Sequence, residues 1–223
     1  MANRRYVIIV AGGTGKRMGT EVPKQFLLLG GTPVLMHTLR AFFDYSDDIH
    51  ITLVLNPDYI EYWDSLCQQY GCPIPHRTIA GGEQRFDSVK NGLDTLEGDG
   101  LVAIHDSVRP LVTHQLIGNS YSEASMHGSA IPVIPLNDTI REITPDYSRL
   151  IDRNNLYLIQ TPQTFSLSLL KKAYSQPSSP AFTDDAAVFE AAGNKLNFIP
   201  GNLDNFKITY REDLHRAEKM IKQ

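Results

Sequence analysis

An α/β fold, with a mostly parallel sheet flanked by helices, is predicted by three features of this sequence. Short apolar runs rich in β-branched residues recur, helical patterns lie between them, and glycines punctuate the joins. The first run, Tyr6-Val-Ile-Ile-Val-Ala11, has no helical period and ends at Gly12-Gly13, which is how a strand buried on both faces reads. Val34 to Phe43 then reads as a helix, Ile51 to Leu55 as a strand and Tyr59 to Tyr70 as a helix. Phe86, Val89, Leu93 and Leu96 recur at spacings of three, four and three, the stripe of a third helix. Two more strands follow glycines: Leu101 to Ile104 after Gly98 and Gly100, and Ala130 to Ile134 after Gly128. Strands and helices that alternate in this way imply right-handed crossovers, with ligands beyond the C-terminal strand ends.

From Pro135 the rhythm changes. Asp138-Thr-Ile-Arg-Glu-Ile143 and Arg149-Leu-Ile151 flank the turn-rich Thr144-Pro-Asp-Tyr-Ser148 and predict a hairpin. Residues 136–156 read equally as an arm projecting from the sheet and as a plain edge hairpin. Ser175 to Pro180 is too short for a domain linker and reads as a loop between helices. Thr209 and Glu212 have capping-box spacing and open a last helix with Leu214, Ala217 and Ile221 on one face.

The length of 223 residues favours one domain spanning the chain, and 42% hydrophobic with 21% charged residues is ordinary globular usage. The apolar run at Tyr6 is far too short for a bilayer span or the apolar core of a signal peptide, so a soluble, cytoplasmic protein is expected. Cys67 and Cys72 are too sparse for a zinc site or a disulfide framework and read as reduced thiols. A net charge of -4 gives no field for nucleic acid or an anionic membrane. Within residues 1–30, however, Arg4, Arg5, Lys16, Arg17 and Lys24 face one anion, Glu21.

These cations surround Ala11-Gly-Gly-Thr-Gly-Lys-Arg-Met-Gly19. Glycines after a strand let backbone N–H groups approach an anion, so Ala11, Gly12, Gly13, Thr14, Gly15 and Lys16 form a candidate phosphate loop; the bland alternative is a tight turn with solvated cations. Two common versions fail by counting. A P-loop needs Ser or Thr after Gly-Lys, where Arg17 stands, and a dinucleotide fingerprint needs glycine where Met18 stands. An NAD-dependent dehydrogenase is therefore disfavoured. Asp106, just past a strand at the ligand-binding edge, suits a hard cation shared with phosphate oxygens, with a turn or helix-cap aspartate as the bland alternative. His105 reads as a packed core histidine. Arg109 could reach phosphate or pair with Asp106.

The pattern G-G-x-G-x-R-M followed by Pro23-Lys24 resembles the signature of nucleotidyltransferases that join a nucleoside triphosphate to a phosphorylated small molecule. Further blocks narrow it: Gly81-Gly-Glu-Gln-Arg-Phe-Asp-Ser88, His105-Asp-Ser-Val-Arg-Pro110, Asp138-Thr139, Asp152-Arg-Asn154, Thr161-Pro-Gln163, Thr183-Asp184 and Asp204-Asn-Phe-Lys-Ile-Thr209. Their order resembles that of the 2-C-methyl-D-erythritol 4-phosphate cytidylyltransferase family over nearly the whole chain. The resemblance implies a Rossmann-like domain, CTP as substrate, Mg²⁺ or another divalent cation at Asp106, and an intermediate of the non-mevalonate isoprenoid route as product. It assigns charge stabilisation to Arg17 and Lys24, a further phosphate contact to Lys16, and the ribose and cytosine pocket to Gly82, Glu83, Ser88 and Ser107. The family commonly has aspartate at the position of Glu83 and alanine at that of Ser107. Arg153 and Lys207 would grip the acceptor phosphate, with Thr139 and Thr161 as hydroxyl contacts. The arm would exchange across a homodimer, so that Thr139 and Arg153 serve the neighbouring site. Asp204 would join the metal or orient Lys207, with a local turn aspartate as the alternative, and Asp184 reads as a helix cap. Ribitol 5-phosphate cytidylyltransferase is the nearest alternative; Asp152-Arg-Asn-Asn-Leu-Tyr157 favours the methylerythritol family, although tyrosine replaces its tryptophan. A nucleotide-binding module without turnover would need neither Lys24 nor Asp106.

Overall fold

The computed structural model describes residues 4–12 and 22–221. In chain order its elements are β1 (Arg5–Ala11), β2 (Leu28–Leu29), β3 (Thr32–Pro33), α1 (Val34–Tyr45), β4 (Ile49–Leu55), α2 (Ile60–Tyr70), β5 (Arg77–Ala80), α3 (Arg85–Asp94), β6 (Leu101–Asp106) and α4 (His114–His127). They continue with β7 (Ser129–Pro135), β8 (Ile140–Ile143), β9 (Ser148–Ile151), β10 (Tyr157–Ile159), β11 (Gln163–Ser166), α5 (Leu167–Ala173), α6 (Asp185–Ala191), β12 (Phe198–Pro200) and α7 (Arg211–Ile221).

The central sheet has the order β10-β7-β11-β6-β1-β4-β5, and β12 pairs with β7. Pairing is parallel through β6, β1, β4 and β5 and again between β7 and β12, whereas β11 and β10 run antiparallel to their neighbours. The two strands read from the sequence as β6 and β7 are therefore not adjacent. Between them lies β11, whose Gln-Thr-Phe-Ser sequence carries no apolar pattern.

Alternate residues of β1 explain its continuous hydrophobicity. Val7, Ile9 and Ala11 enter a cluster with Leu39 and Phe42 of α1, Trp63 of α2 and Tyr121 of α4. Tyr6 and Ile8 enter a second cluster with Val89 and Leu93 of α3, Leu170 of α5 and Phe189 of α6. Both faces are covered, which forbids the polar alternation of a half-exposed strand. The predicted stripe on α3 is buried, with Leu96 packing just past the helix end.

β8 and β9 form a two-stranded sheet of their own, joined in antiparallel register from Ile140 opposite Ile151 to Ile143 opposite Ser148. The hairpin is thus no edge of the central sheet, and it leaves Ile143 and Leu150 75% and 64% exposed. The last helix starts later than its sequence suggests. The Asp213 carboxylate, not Glu212, accepts from the backbone N–H groups of Thr209 and Tyr210, both at 2.8 Å, while the Thr209 hydroxyl turns to the Lys207 carbonyl. An aspartate in the third helical position reaches back to the cap in this way, and the helix opens at Arg211. Ala217 is buried against Leu29, Val34, Val108 and Ile208, whereas Ile221 stays partly exposed.

Gly100 lies at φ 154°, where a Cβ would stand 2.3 Å from the Arg4 carbonyl oxygen, the acceptor for the Leu101 N–H that starts β6. Gly100→Ala is expected to lower unfolding free energy by about 2 kcal/mol, read by urea denaturation, because clash and backbone strain act together.

Candidate functional site

The C-terminal ends of β1, β4, β5 and β6 converge on one edge of the sheet. β1 delivers Ala11 and Gly12 there; Gly13, Thr14, Gly15, Lys16 and Arg17 lie outside the described residues. The Ala11 carbonyl accepts from the buried Gln25 side chain at 3.0 Å, which ties the end of β1 to the short 3-10 turn Lys24–Phe26. Phe26 fixes that turn against the rings of Tyr59, Tyr62 and Trp63. Lys24 then reaches across to donate from Nζ to the Ile208 carbonyl at 2.9 Å. The sequence expectation of a fixed lysine after Pro23 has here a physical basis.

On the other side of Gly12 lies the glycine segment between β5 and α3. Gly81 N–H bonds the Leu55 carbonyl at 2.6 Å and Gly82 N–H bonds the Ser88 hydroxyl at 3.1 Å. A Cβ on Gly81 would meet Ser88 Oγ at 2.8 Å and one on Gly12 would meet it at 3.5 Å, so this buried serine sits between two glycine segments. Glu83 is exposed beside it. Ser107 is buried, its N–H bonded to the Val10 carbonyl at 3.2 Å and its own carbonyl taking the Thr38 hydroxyl at 2.8 Å.

Asp106 ends β6 as the focus of the charge. Its Oδ2 lies 3.1 Å from Arg109 Nε and 3.1 Å from Lys207 Nζ. Burial alone would raise this carboxyl; Lys207, Arg109 and, further off, Arg85 outweigh it and hold the group well below the usual carboxylate range. Lys207 is brought in by a backbone bond from Ile208 N–H to the Val108 carbonyl at 2.9 Å. Arg109 is resolved by the structure toward pairing with Asp106. Its Nη1 also donates to the Asn205 carbonyl at 2.7 Å, and it is 9% exposed, so of its two expected roles the pairing is the one on view.

Thr161 stands beside this cluster. It is buried; its hydroxyl accepts from Asp106 N–H at 3.0 Å and lies 3.1 Å from His105 Nδ1. A hydroxyl so engaged supports the backbone of Asp106. His105 is fully buried, and burial pushes its imidazole down to about 4, so the ring is neutral. Asp204 is half exposed and faces Arg216 of α7 at 3.7 Å, with its N–H bonded to the Asn202 side chain, so the turn alternative describes its surroundings. Asp184 caps α6 as expected, accepting from Ala187 N–H at 2.9 Å. Thr139 and Arg153 are exposed on the arm, where Arg153 donates to the Asn137 carbonyl, and no described contact joins them to Asp106.

Two groups escaped the sequence reading. Arg85, inside the Gly81 to Ser88 block, pairs with the fully buried Asp185 at 2.6 Å, and Asp185 also takes the Tyr174 hydroxyl at 2.6 Å. Asn205 bridges the Thr161 carbonyl at 2.8 Å and the Arg109 side chain. Their signal was a charge or amide inside a block otherwise explained by its neighbours.

The donor set also bears on a metal. Among the described residues no group of three His, Cys, Asp or Glu side chains could hold one. One ionised carboxylate beside cations fits a hard divalent ion only when phosphate oxygens complete its shell, the usual arrangement for Mg²⁺ with a nucleotide. Asp106 meets that description, and Asp204 lies beside Arg216 at 3.7 Å.

Removing Arg85 leaves the buried Asp185 carboxylate without its cation. Arg85→Met is expected to cost about 3 kcal/mol in chemical denaturation, as loss of one member of a buried pair does. Unchanged stability would mean that Tyr174 alone satisfies Asp185.

The family model for 2-C-methyl-D-erythritol 4-phosphate cytidylyltransferase matches residues 6–223. Curated relatives with that name include one from Azobacteroides pseudotrichonymphae, 50% identical over 221 residues covering 98% of this chain and 99% of the relative. Another, from Phocaeicola vulgatus, is 48% identical over 217 residues, covering 97% and 99%. Among solved structures, a 4-diphosphocytidyl-2C-methyl-D-erythritol synthase from Anaerococcus prevotii is 28% identical, with a TM-score of 0.81 over 99% of this chain and 97% of the other. The 2-C-methyl-D-erythritol 4-phosphate cytidylyltransferase from Thermus thermophilus is 29% identical, with a TM-score of 0.77 over the full length of both.

Proposed function

This chain belongs to the 2-C-methyl-D-erythritol 4-phosphate cytidylyltransferase family, and on that premise we propose how its residues carry out the reaction. It transfers CMP from CTP to 2-C-methyl-D-erythritol 4-phosphate, releasing pyrophosphate and forming 4-diphosphocytidyl-2-C-methyl-D-erythritol. The observation that carries the assignment of roles is the cluster of Asp106, Lys207 and Arg109, with Lys24 tied to Ile208 at its rim. An acceptor phosphate oxygen attacks the α-phosphorus in line, and negative charge builds on the α-phosphate and the leaving group. Positioned cations are what such a transition state needs; no covalent nucleophile is required.

In this reading Ala11, Gly12, Gly13, Thr14, Gly15 and Lys16 hold the triphosphate, with Arg17 and Lys24 stabilising the developing charge. Gly82, Glu83, Ser88 and Ser107 form the nucleoside pocket. Asp106, with phosphate oxygens, would hold Mg²⁺ or another divalent cation, which supplies further neutralisation of phosphate charge. Lys207 and, from the neighbouring subunit, Arg153 and Thr139 grip the acceptor. The homodimer is supported by apolar side chains left exposed on the arm and beside it: Ile143, Leu150, Tyr157, Leu158 and Phe198. The chain acts as one nucleotidyltransferase domain, in the cytoplasm; among the described residues no helix is long and apolar enough to cross a membrane. The curated relatives are named for methylerythritol phosphate, so a ribitol phosphate acceptor is not favoured.

Pyrophosphate release is the direct test, with CTP and Mg²⁺ and three parallel arms: methylerythritol phosphate, ribitol 5-phosphate and no acceptor. Fast release only with methylerythritol phosphate is expected, and silence in all three arms would point to a non-catalytic nucleotide binder. Lys24→Ala should keep the fold and lower turnover by roughly two to three orders of magnitude, as loss of a charge-stabilising donor does. Near-normal turnover in the folded variant would remove Lys24 from the mechanism. Sedimentation of a variant lacking residues 136–156 checks the dimer, with a monomer as the expected outcome.

A further inference from the structure

Four groups that surround Asp106 are joined head to tail. The Arg109 carbonyl can only accept, so the 3.2 Å contact with His105 Nε2 places the hydrogen on that nitrogen. The Thr161 hydroxyl already accepts the Asp106 N–H, and its own hydrogen points to its other contact, His105 Nδ1, 3.1 Å away. Arg109 Nη1 donates to the Asn205 carbonyl at 2.7 Å, and Asn205 Nδ2 donates to the Thr161 carbonyl at 2.8 Å. The amide orientation of Asn205 is fixed, because turned over it would set its oxygen against the Thr161 carbonyl. Thr161 therefore donates to His105, His105 to Arg109, Arg109 to Asn205, and Asn205 back to Thr161. All four residues are buried, at 9% exposure or less.

We propose that this closed ring is a positioning device for cytidylyl transfer, with His105, Thr161 and Asn205 as positioning residues that act through Asp106, Arg109 and Lys207. The ring ties together three distant segments of chain. It grips Asp106 twice, since Thr161 Oγ accepts the Asp106 N–H at 3.0 Å and Arg109 Nε lies 3.1 Å from Oδ2. It also sets the segment that delivers Lys207, two residues after Asn205. Three of the four residues accept on a backbone carbonyl and donate from a side chain, so the circuit couples side-chain position to backbone position, and the loss of one link frees the segments that the others join. A displacement of a catalytic group by about 1 Å can cost roughly 100-fold in rate, so bonds that lie behind the charged groups still govern turnover. The proposal rests on the cytidylyltransferase reading of the site, and it gives Thr161 a role other than direct contact with the acceptor.

The test is a double-mutant cycle on the full-length enzyme with Thr161→Val, His105→Phe and the pair, measuring kcat, the KM for acceptor and the Kd for CTP, with melting as the check on folding. Each single variant is expected to lower kcat about 10- to 100-fold, with the Kd for CTP changed less than about threefold. The double variant should be no worse than the more severe single, because one ring is broken either way. His105→Asn, whose Oδ1 can still accept from the Thr161 hydroxyl, should recover part of the loss. Thr164→Val is the control, removing a buried hydroxyl that has no partner among the described residues, and should leave kcat unchanged. Should His105→Phe not fold, His105→Gln, which retains a donor for the Arg109 carbonyl, takes its place in the cycle. Losses that multiply would overturn the proposal and return Thr161 to the acceptor site, and near-normal turnover in folded Thr161→Val would overturn it outright. Silence of the wild-type enzyme with CTP and acceptor would instead sink the reading beneath it.

Discussion

A site that binds two phosphorylated substrates must hold several cations close together before either substrate arrives, and these cations repel one another. At 4 Å and an effective dielectric of about 20, two like charges cost about 4 kcal/mol. Asp106 offsets that repulsion. One of its oxygens faces Arg109 and Lys207, each at 3.1 Å, and the pair holds it ionised despite its burial. The three charges leave one net positive charge, with Lys24 held nearby through Ile208, so the cluster is assembled without substrate and remains attractive to phosphate.

Everything that positions this cluster comes from different parts of the chain. Asp106 needs β6 in the middle of the sheet, and β6 needs β1 and β11 on its two sides. Lys207 needs the strand-like contact of Ile208 with Val108, and that contact is backed by the small cluster of Leu29, Val34, Val108, Ile208 and Ala217. The C-terminal helix thus reaches the chemistry through one buried alanine, although no side chain of α7 carries a proposed role. The Lys24 turn is held at both ends, by Gln25 on the Ala11 carbonyl and by Phe26 among the α2 aromatics. Rigid elements behind each cation reduce the entropy that binding must overcome.

What could be read from the sequence follows from whether a residue's environment is local. β1 was legible because burial on both faces demands an unbroken apolar run, and the stripe on α3 because its period is intrinsic to the helix. β11 was not, since its buried polar groups are satisfied at long range: Gln163 donates to Asp184 and accepts from Ala186 N–H, partners more than twenty residues away. The position of Asp106 at a strand end was legible; the choice of Arg109 between phosphate and Asp106 was not, because it depends on the turn between them and on a carbonyl at Asn205. The partners of Thr161 were hidden for the same reason. Its hydroxyl reads as a substrate contact, and spacing gives no sign of His105 and the Asp106 N–H on either side of it. At the last helix the error was a single residue, Glu212 for Asp213, a register that spacing rules resolve poorly.

The departures at positions 83 and 107 can be weighed on the same terms. Neither residue sets the backbone around it. The glycine segment is held by Gly81 on Leu55, by Gly82 on Ser88 and by Gln84 N–H on Asp87, so the exposed Glu83 rides on a frame fixed by its neighbours. Relative to aspartate it extends a carboxylate by one methylene without shifting that frame. Ser107 is likewise pinned through its own N–H and carbonyl, to Val10 and Thr38, and a hydroxyl in place of a hydrogen there leaves both bonds intact. At both positions side-chain identity and backbone geometry are therefore decoupled, so the nucleoside pocket proposed at this edge would keep its backbone frame with either side chain.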